Sequence, residues 1–139
     1  MEKRLEAGQV CTFQKKVSDE DVRKFAEVTG DKNPLHLDDE FARTTMFKER
    51  IAHGMIGAGI ISGGLAMHMP GLGTTYLEQD LKFMRPVRIG DVLAVELKVL
   101  EILPKTKFDI AKIRTTCTNE RGEVVISGTA TVVPPKTAS

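Results

Sequence analysis

From His53 to Met69 the chain holds an apolar segment interrupted by Gly54, Gly57, Gly59, Gly63 and Gly64 and closed by Pro70-Gly71. Its length and its closing Pro-Gly predict a helix over 53–69. Each interior glycine costs a helix about 0.5–1 kcal/mol relative to alanine. Propensity does not explain a helix that keeps so many; close approach of its backbone to a sheet or a ligand does. From Thr75 onward the apolar period changes to two. Leu77, Leu81 and Phe83 share one face with Gln79, opposite Glu78, Asp80 and Lys82, which predicts a half-buried strand. Leu93, Val95, Leu97 and Val99 mark a second strand with Glu96 and Lys98 outside, broken at Pro104-Lys105. Phe108 to Thr118 and Glu123 to Val133 read as two more around a hairpin turn at Asn119-Glu120-Arg121-Gly122. A closely approached helix followed by antiparallel strands constrains the chain to an α+β arrangement, with the helix packed on one sheet face.

The preceding residues supply a strand at Gln9 to Val17 and then a helix. Ser18 reads as its N-cap, Asp19, Glu20 and Asp21 suit its dipole, and Asp21 stands where a capping-box acid belongs. Val22, Phe25 and Ala26 fall at helical spacing, and Gly30 stops the helix. A loop, Gly30-Asp31-Lys32-Asn33-Pro34-Leu35-His36, follows; Pro34 pushes Asn33 out of the helical region, so the stretch reads as a turn. Leu37 to Thr45 reads as a short helix capped by Asp38 with Phe41 as its apolar contact. Met46 to Ile51 reads as a connection whose Lys48, Glu49 and Arg50 are solvated. Pro134-Pro135 ends the last strand, and Lys136 to Ser139 reads as a frayed tail.

Asp31 and His36 are five apart, so a helix would not put them on one face, but a turn can. A carboxylate beside an imidazole suits proton transfer near neutral pH. Asn33 between them orients the loop or a substrate, or simply stabilises the turn. Gly54 falls in the first turn of the long helix, where backbone N–H groups lack intrahelical partners and the dipole is positive, which suits an oxygen gaining negative charge. His53 can point either way and reads first as structural, and Ser62 can bond its own backbone or reach a pocket.

The framing resembles the MaoC-like dehydratases, and most closely the (R)-specific enoyl-CoA hydratases. The matching residues are Phe25, Thr29-Gly30-Asp31, Asn33-Pro34-Leu35-His36 and Ala42, with His53-Gly54-Met55, Ser62, Pro86-Val87 and Gly90-Asp91 beyond them. The resemblance covers nearly the whole chain. It implies one hot-dog domain over residues 1–139, a long central helix wrapped by a curved antiparallel sheet. It implies reversible hydration of a trans-2-enoyl-CoA to an (R)-3-hydroxyacyl-CoA. In that reaction Asp31 and His36 share one water, and Gly54 faces the thioester oxygen. Asn33 and Ser62 lie by the substrate. It further implies a homodimer with coenzyme A along the interface, and a basic residue among 48–50 could meet a coenzyme phosphate. No metal, flavin or nicotinamide is needed, because no hydride moves. Two alternatives stay open: a dehydratase acting on carrier-protein-bound 3-hydroxyacyl chains, and a non-catalytic acyl-thioester-binding subunit of a hetero-oligomer.

Composition excludes other classes. A net charge of +1 and the absence of Trp give no footprint for nucleic acid or an anionic membrane surface. Cys11 and Cys117 stand alone, with no zinc-type spacing, and both fall in strands. Met1 to Gly8 lacks an apolar signal-peptide core, and no apolar run is long enough to span a membrane. The expectation is a soluble, cytoplasmic protein.

Overall fold

The computed structural model describes residues 4–136. Residues 1–3 of the charged opening, and the expected tail beyond Lys136, lie outside them. Ten elements follow in order: β1 (Val10–Lys16), α1 (Asp19–Thr29), α2 (Pro34–Leu37), α3 (Asp39–Arg43), α4 (Gly54–Met67), β2 (Thr75–Gln79), β3 (Lys82–Phe83), β4 (Val92–Pro104), β5 (Asp109–Thr118) and β6 (Val124–Val133). The strands form one antiparallel sheet in the order β1-β4-β5-β6-β2, with β3 also paired to β6. Helix α4 lies along one face, which is the α+β hot-dog arrangement that the sequence implied.

The alternation expected in β4 is what builds the core. Leu93, Val95, Leu97 and Val99 are all buried, and so are Ala111, Ile113 and Cys117 of β5. They meet Ile56, Ile61 and Leu65 of α4 in one cluster. Two glycines let the helix come this close. A Cβ at Gly57 would stand 2.1 Å from Ile126 Cδ1, and one at Gly64 would stand 2.3 Å from Phe13 Cε1. Gly59 and Gly63 face open space instead, so the sheet accounts for only part of the glycine pattern.

Three local expectations are corrected. The strand read at 75–83 is not half-buried throughout: Leu77 is 51% exposed and Phe83 52%. A bulge between Tyr76 and Glu78 breaks the period, and β2 is an edge strand with no neighbour on its outer side among the described residues. The helix read at 37–45 is shorter, because the Thr44 and Thr45 hydroxyls bond the Phe41 and Ala42 carbonyls and end it. Its buried anchor is Ala42, at 0% exposure, and not Phe41, at 44%.

Candidate active site

The site forms where α1 ends and α4 begins. Gly30 takes a left-handed conformation (φ +78°) and bonds back to Ala26 O, turning the chain out of α1. Thr29 fixes the exit: its hydroxyl donates to Phe25 O at 2.7 Å and accepts from the Asp31 N–H at 3.2 Å. The Asp31 carboxylate accepts from the Asn33 N–H, and Asn33 Oδ1 accepts from the Leu35 N–H. Asn33 is thereby the N-cap of α2, with Pro34 at a position that suits it. The stretch between Asp31 and His36 was expected to be non-helical; in fact Pro34–Leu37 forms one helical turn. The proline that restricts Asn33 starts this turn.

Asp31 is exposed while His36 is only 8% exposed. Nonetheless Asp31, His36 and His53 each offer an atom within 4.8 Å of the others. Two acceptors no farther apart than that can both be reached by one oxygen about 2.8 Å from each. His36 Nδ1 lies 2.8 Å from the Ile51 carbonyl. A carbonyl only accepts, so Nδ1 carries the hydrogen and Nε2 keeps its lone pair.

The three side chains do not make a metal site. The His36 and His53 rings are stacked, with centroids 3.9 Å apart and planes at 29°, so their in-plane lone pairs do not converge on one ion. One nitrogen of each ring already faces a carbonyl, Ile51 O and Asp31 O respectively. Cys117 is likewise no ligand or nucleophile: burial pushes its thiol up to about 12.

Helix α4 presents its first residues to the pair. Ala52 N–H bonds Val87 O at 2.7 Å, and Ile51 bridges to Arg88, which anchors the approach. His53 is the N-cap but makes no side-chain capping bond, and no acidic residue stands in the first turn. Gly54 is exposed at the mouth of a cleft of about 560 Å³ lined by His36, Ala52, Met55, Phe83 and Val87 among others. A Cβ on Gly54 would stand 2.9 Å from the Phe83 ring. Ser62 lies elsewhere, in a neighbouring cleft of about 480 Å³ with Phe25, Gly59 and Leu77; Met55 lines both clefts. The structure thus brings Asp31 to His36, puts His36 and Gly54 on one cleft, ties Asn33 to Asp31 through its backbone N–H, and sets Ser62 two turns along the helix.

Two residues escaped the sequence reading. Arg50, expected in solvent, has a side chain only 11% exposed. Its Nε donates to His36 O at 2.8 Å and its guanidinium pairs with Asp19. That pairing, with Arg23 adding to it, holds the Asp19 carboxyl below the usual carboxylate range. Arg50 is therefore committed inside the protein and is not free for a coenzyme phosphate. His53, read as structural, is 3% exposed and touches both members of the pair. The charge run around Arg50 hid it; His53 was visible only as the residue before Gly54.

Residues 3–124 match the family described as MaoC like domain. An (R)-specific enoyl-CoA hydratase of Rhodospirillum rubrum is 45% identical over 94% of this chain and 89% of its own. A 3-hydroxybutyryl-CoA dehydratase of Methylorubrum extorquens is also 45% identical, over 95% of this chain and 82% of its own. The unliganded R-hydratase of Pseudomonas aeruginosa superposes with a TM-score of 0.88 at 46% identity, covering 94% of this chain and 83% of that one.

Proposed function

The chain belongs to the MaoC-like dehydratase family, and from that membership we infer that it is an (R)-specific enoyl-CoA hydratase. As a hydro-lyase it adds water reversibly to a trans-2-enoyl-CoA and gives the (R)-3-hydroxyacyl-CoA. The observation that carries the reading is the approach of Asp31 and His36 to within one water's span, beside the uncapped start of α4.

The steps follow from the groups present. The Asp31 carboxylate and His36 Nε2 are both acceptors, so one water can give a hydrogen to each and keep its lone pairs for the substrate. The β-carbon of the enoyl thioester is electrophilic only as charge flows to the thioester oxygen. The Gly54 N–H, at the positive end of the α4 dipole, stabilises that charge. As the water oxygen bonds to the β-carbon, one acceptor takes its proton, and that proton passes to the α-carbon. Hydroxyl and hydrogen are added, and the pair returns to its starting state. Asn33 has its side-chain oxygen in the α2 cap, and its amide hydrogens are left for the substrate. Ser62 lines the neighbouring cleft, where an acyl chain passing Met55 would reach it.

The working unit in this reading is one domain that pairs as a homodimer. Exposed Tyr76, Leu77, Phe83 and Met84 along the outer strands support pairing, with coenzyme A lying along the interface. The free thiols Cys11 and Cys117 fit a reducing, cytoplasmic setting. No helix among the described residues is long and apolar enough to cross a membrane. The test is the product. Crotonyl-CoA incubated with the protein and coupled to an (R)-specific 3-hydroxyacyl-CoA dehydrogenase should yield nicotinamide reduction, and an (S)-specific one should not. Reduction with the (S)-specific enzyme alone, or with neither, contradicts the reading.

A further inference from the structure

We propose that His53 is a positioning residue for hydration, one ring that ties the Asp31 loop to the His36 ring. The proposal rests on the reading of Asp31 and His36 as the water-activating pair.

An N-cap position ordinarily holds a residue whose side chain bonds the helix N–H groups. His53 occupies that position in α4 and makes no such bond. Its ring turns inward, 3% exposed, and Nε2 stands 2.9 Å from the Asp31 carbonyl oxygen. That oxygen only accepts, so Nε2 carries the hydrogen and Nδ1 keeps a lone pair. Nδ1 is buried and has no hydrogen-bond partner among the described residues. A side chain needed only for packing would not carry an unsatisfied buried nitrogen; leucine or phenylalanine would fill the space without it. What the imidazole supplies is the Nε2–H for Asp31 together with a flat face for His36.

Both contacts go where support is otherwise thin. Asp31 is exposed, and among the described residues its other bonds reach Thr29, the last residue of α1, and Asn33, both two positions away. The bond from His53 is its tie to a distant part of the chain, the start of α4. His36 is gripped by one continuous segment: Arg50 Nε holds its carbonyl, Ile51 O holds its Nδ1–H, and the His53 ring lies on its face with centroids 3.9 Å apart. Phe25 backs His53 with its centroid at 4.9 Å. The ring therefore sets the spacing of the two groups that share the water without standing between them.

Three variants separate the contacts. His53→Phe keeps the stack and loses the donor, His53→Gln keeps a donor and loses the stack, and His53→Leu loses both. With crotonyl-CoA, kcat should fall about 10²-fold in His53→Leu, the scale of a small misplacement of reacting groups, and less in the other two. KM should stay within about twofold, because His53 lies beneath the pair and away from the substrate. In an Asp31→Asn background, His53→Phe should add almost nothing, since the lost bond serves Asp31. Long-range 1H–15N spectra of the wild type should show hydrogen on His53 Nε2 and on His36 Nδ1, a readout independent of activity. Should His53→Leu fail to fold, the Phe and Gln variants carry the same test. Wild-type kcat in folded His53→Phe and His53→Gln, or losses that simply add to that of Asp31→Asn, would overturn the proposal, as would the opposite His53 tautomer. An inactive wild type with both tautomers as stated would overturn the hydratase reading and support the tie.

Discussion

Helices α1 and α4 flank the site, and their N-termini are built in opposite ways. At α1, Ser18 Oγ accepts from the Asp21 N–H at 3.1 Å, and the Asp21 carboxylate accepts from the Ser18 N–H at 3.0 Å. Asp19, Glu20 and Asp21 neutralise the dipole there. At α4 the N-cap makes no side-chain bond, the first turn has no acid, and the first residue is a glycine open to a cleft. A side-chain cap is worth about 1 kcal/mol, so α4 forgoes stability that α1 takes. The difference teaches where the molecule keeps donors available. Among the described residues, every other helix start is closed by a side chain, Ser18, Asn33 or Asp38, and the one left open starts beside Asp31 and His36.

Breaking the chemistry at the open end should give the largest effect. Asp31→Asn and His36→Gln should each lower the hydration rate about 10²–10⁴-fold with an unchanged circular dichroism spectrum. Gly54→Ala comes next, at about 10²-fold in rate, because its methyl narrows the approach to the helix N-terminus. Its stability should move little, since the Phe83 ring it meets is 52% exposed and can swing away. Gly57→Ala, one turn later, should do the reverse. Its methyl meets Ile126, which is 1% exposed and has nowhere to go, so urea unfolding should show a loss of about 1–3 kcal/mol. At the closed end, Ser18→Ala should cost about 1 kcal/mol with no change in rate.

The smallest effect is the pH dependence of that closed end. The Ser18 N–H, with Lys15 adding to it, holds the Asp21 carboxyl below its usual value. A carboxyl lowered in the folded state contributes stability that is present above the unfolded value, about pH 4, and lost as pH falls through the folded one. The gap in stability between the wild type and Asp21→Asn should therefore be full at pH 6 and close as the solution is acidified below pH 4. A gap that widens on acidification would contradict the assignment.

Much of this was legible in the sequence because it rests on local chemistry. Ser18, Gly30, Asp38 and the Asn119–Gly122 turn act within a few residues of themselves, and the alternation Leu93-Val95-Leu97-Val99 states which face is buried. The motif around Asp31 and His36 declared the pair. What stayed hidden depends on distant partners. Arg50 sits in a charged run that looks solvated, and only folding brings Asp19 and the His36 carbonyl to it. The stack of His53 on His36 joins residues from separate elements. Leu77 and Phe83 carry a buried-strand pattern yet lie exposed at the sheet edge, because pattern does not say which strand is last. The glycines of α4 looked alike, and only the packed sheet separates Gly57 and Gly64 from Gly59 and Gly63.

The most direct measurement compares the two ends in one experiment. Purified Ser18→Ala and Gly54→Ala would be followed beside the wild type, by the fall in enoyl-thioester absorbance with crotonyl-CoA and by urea unfolding. The expected result is a crossed pattern: Gly54→Ala loses about 10²-fold in rate and keeps its stability, while Ser18→Ala keeps its rate and loses about 1 kcal/mol. Wild-type hydration by a folded Gly54→Ala protein would show that the open start of α4 is not where the thioester oxygen is held.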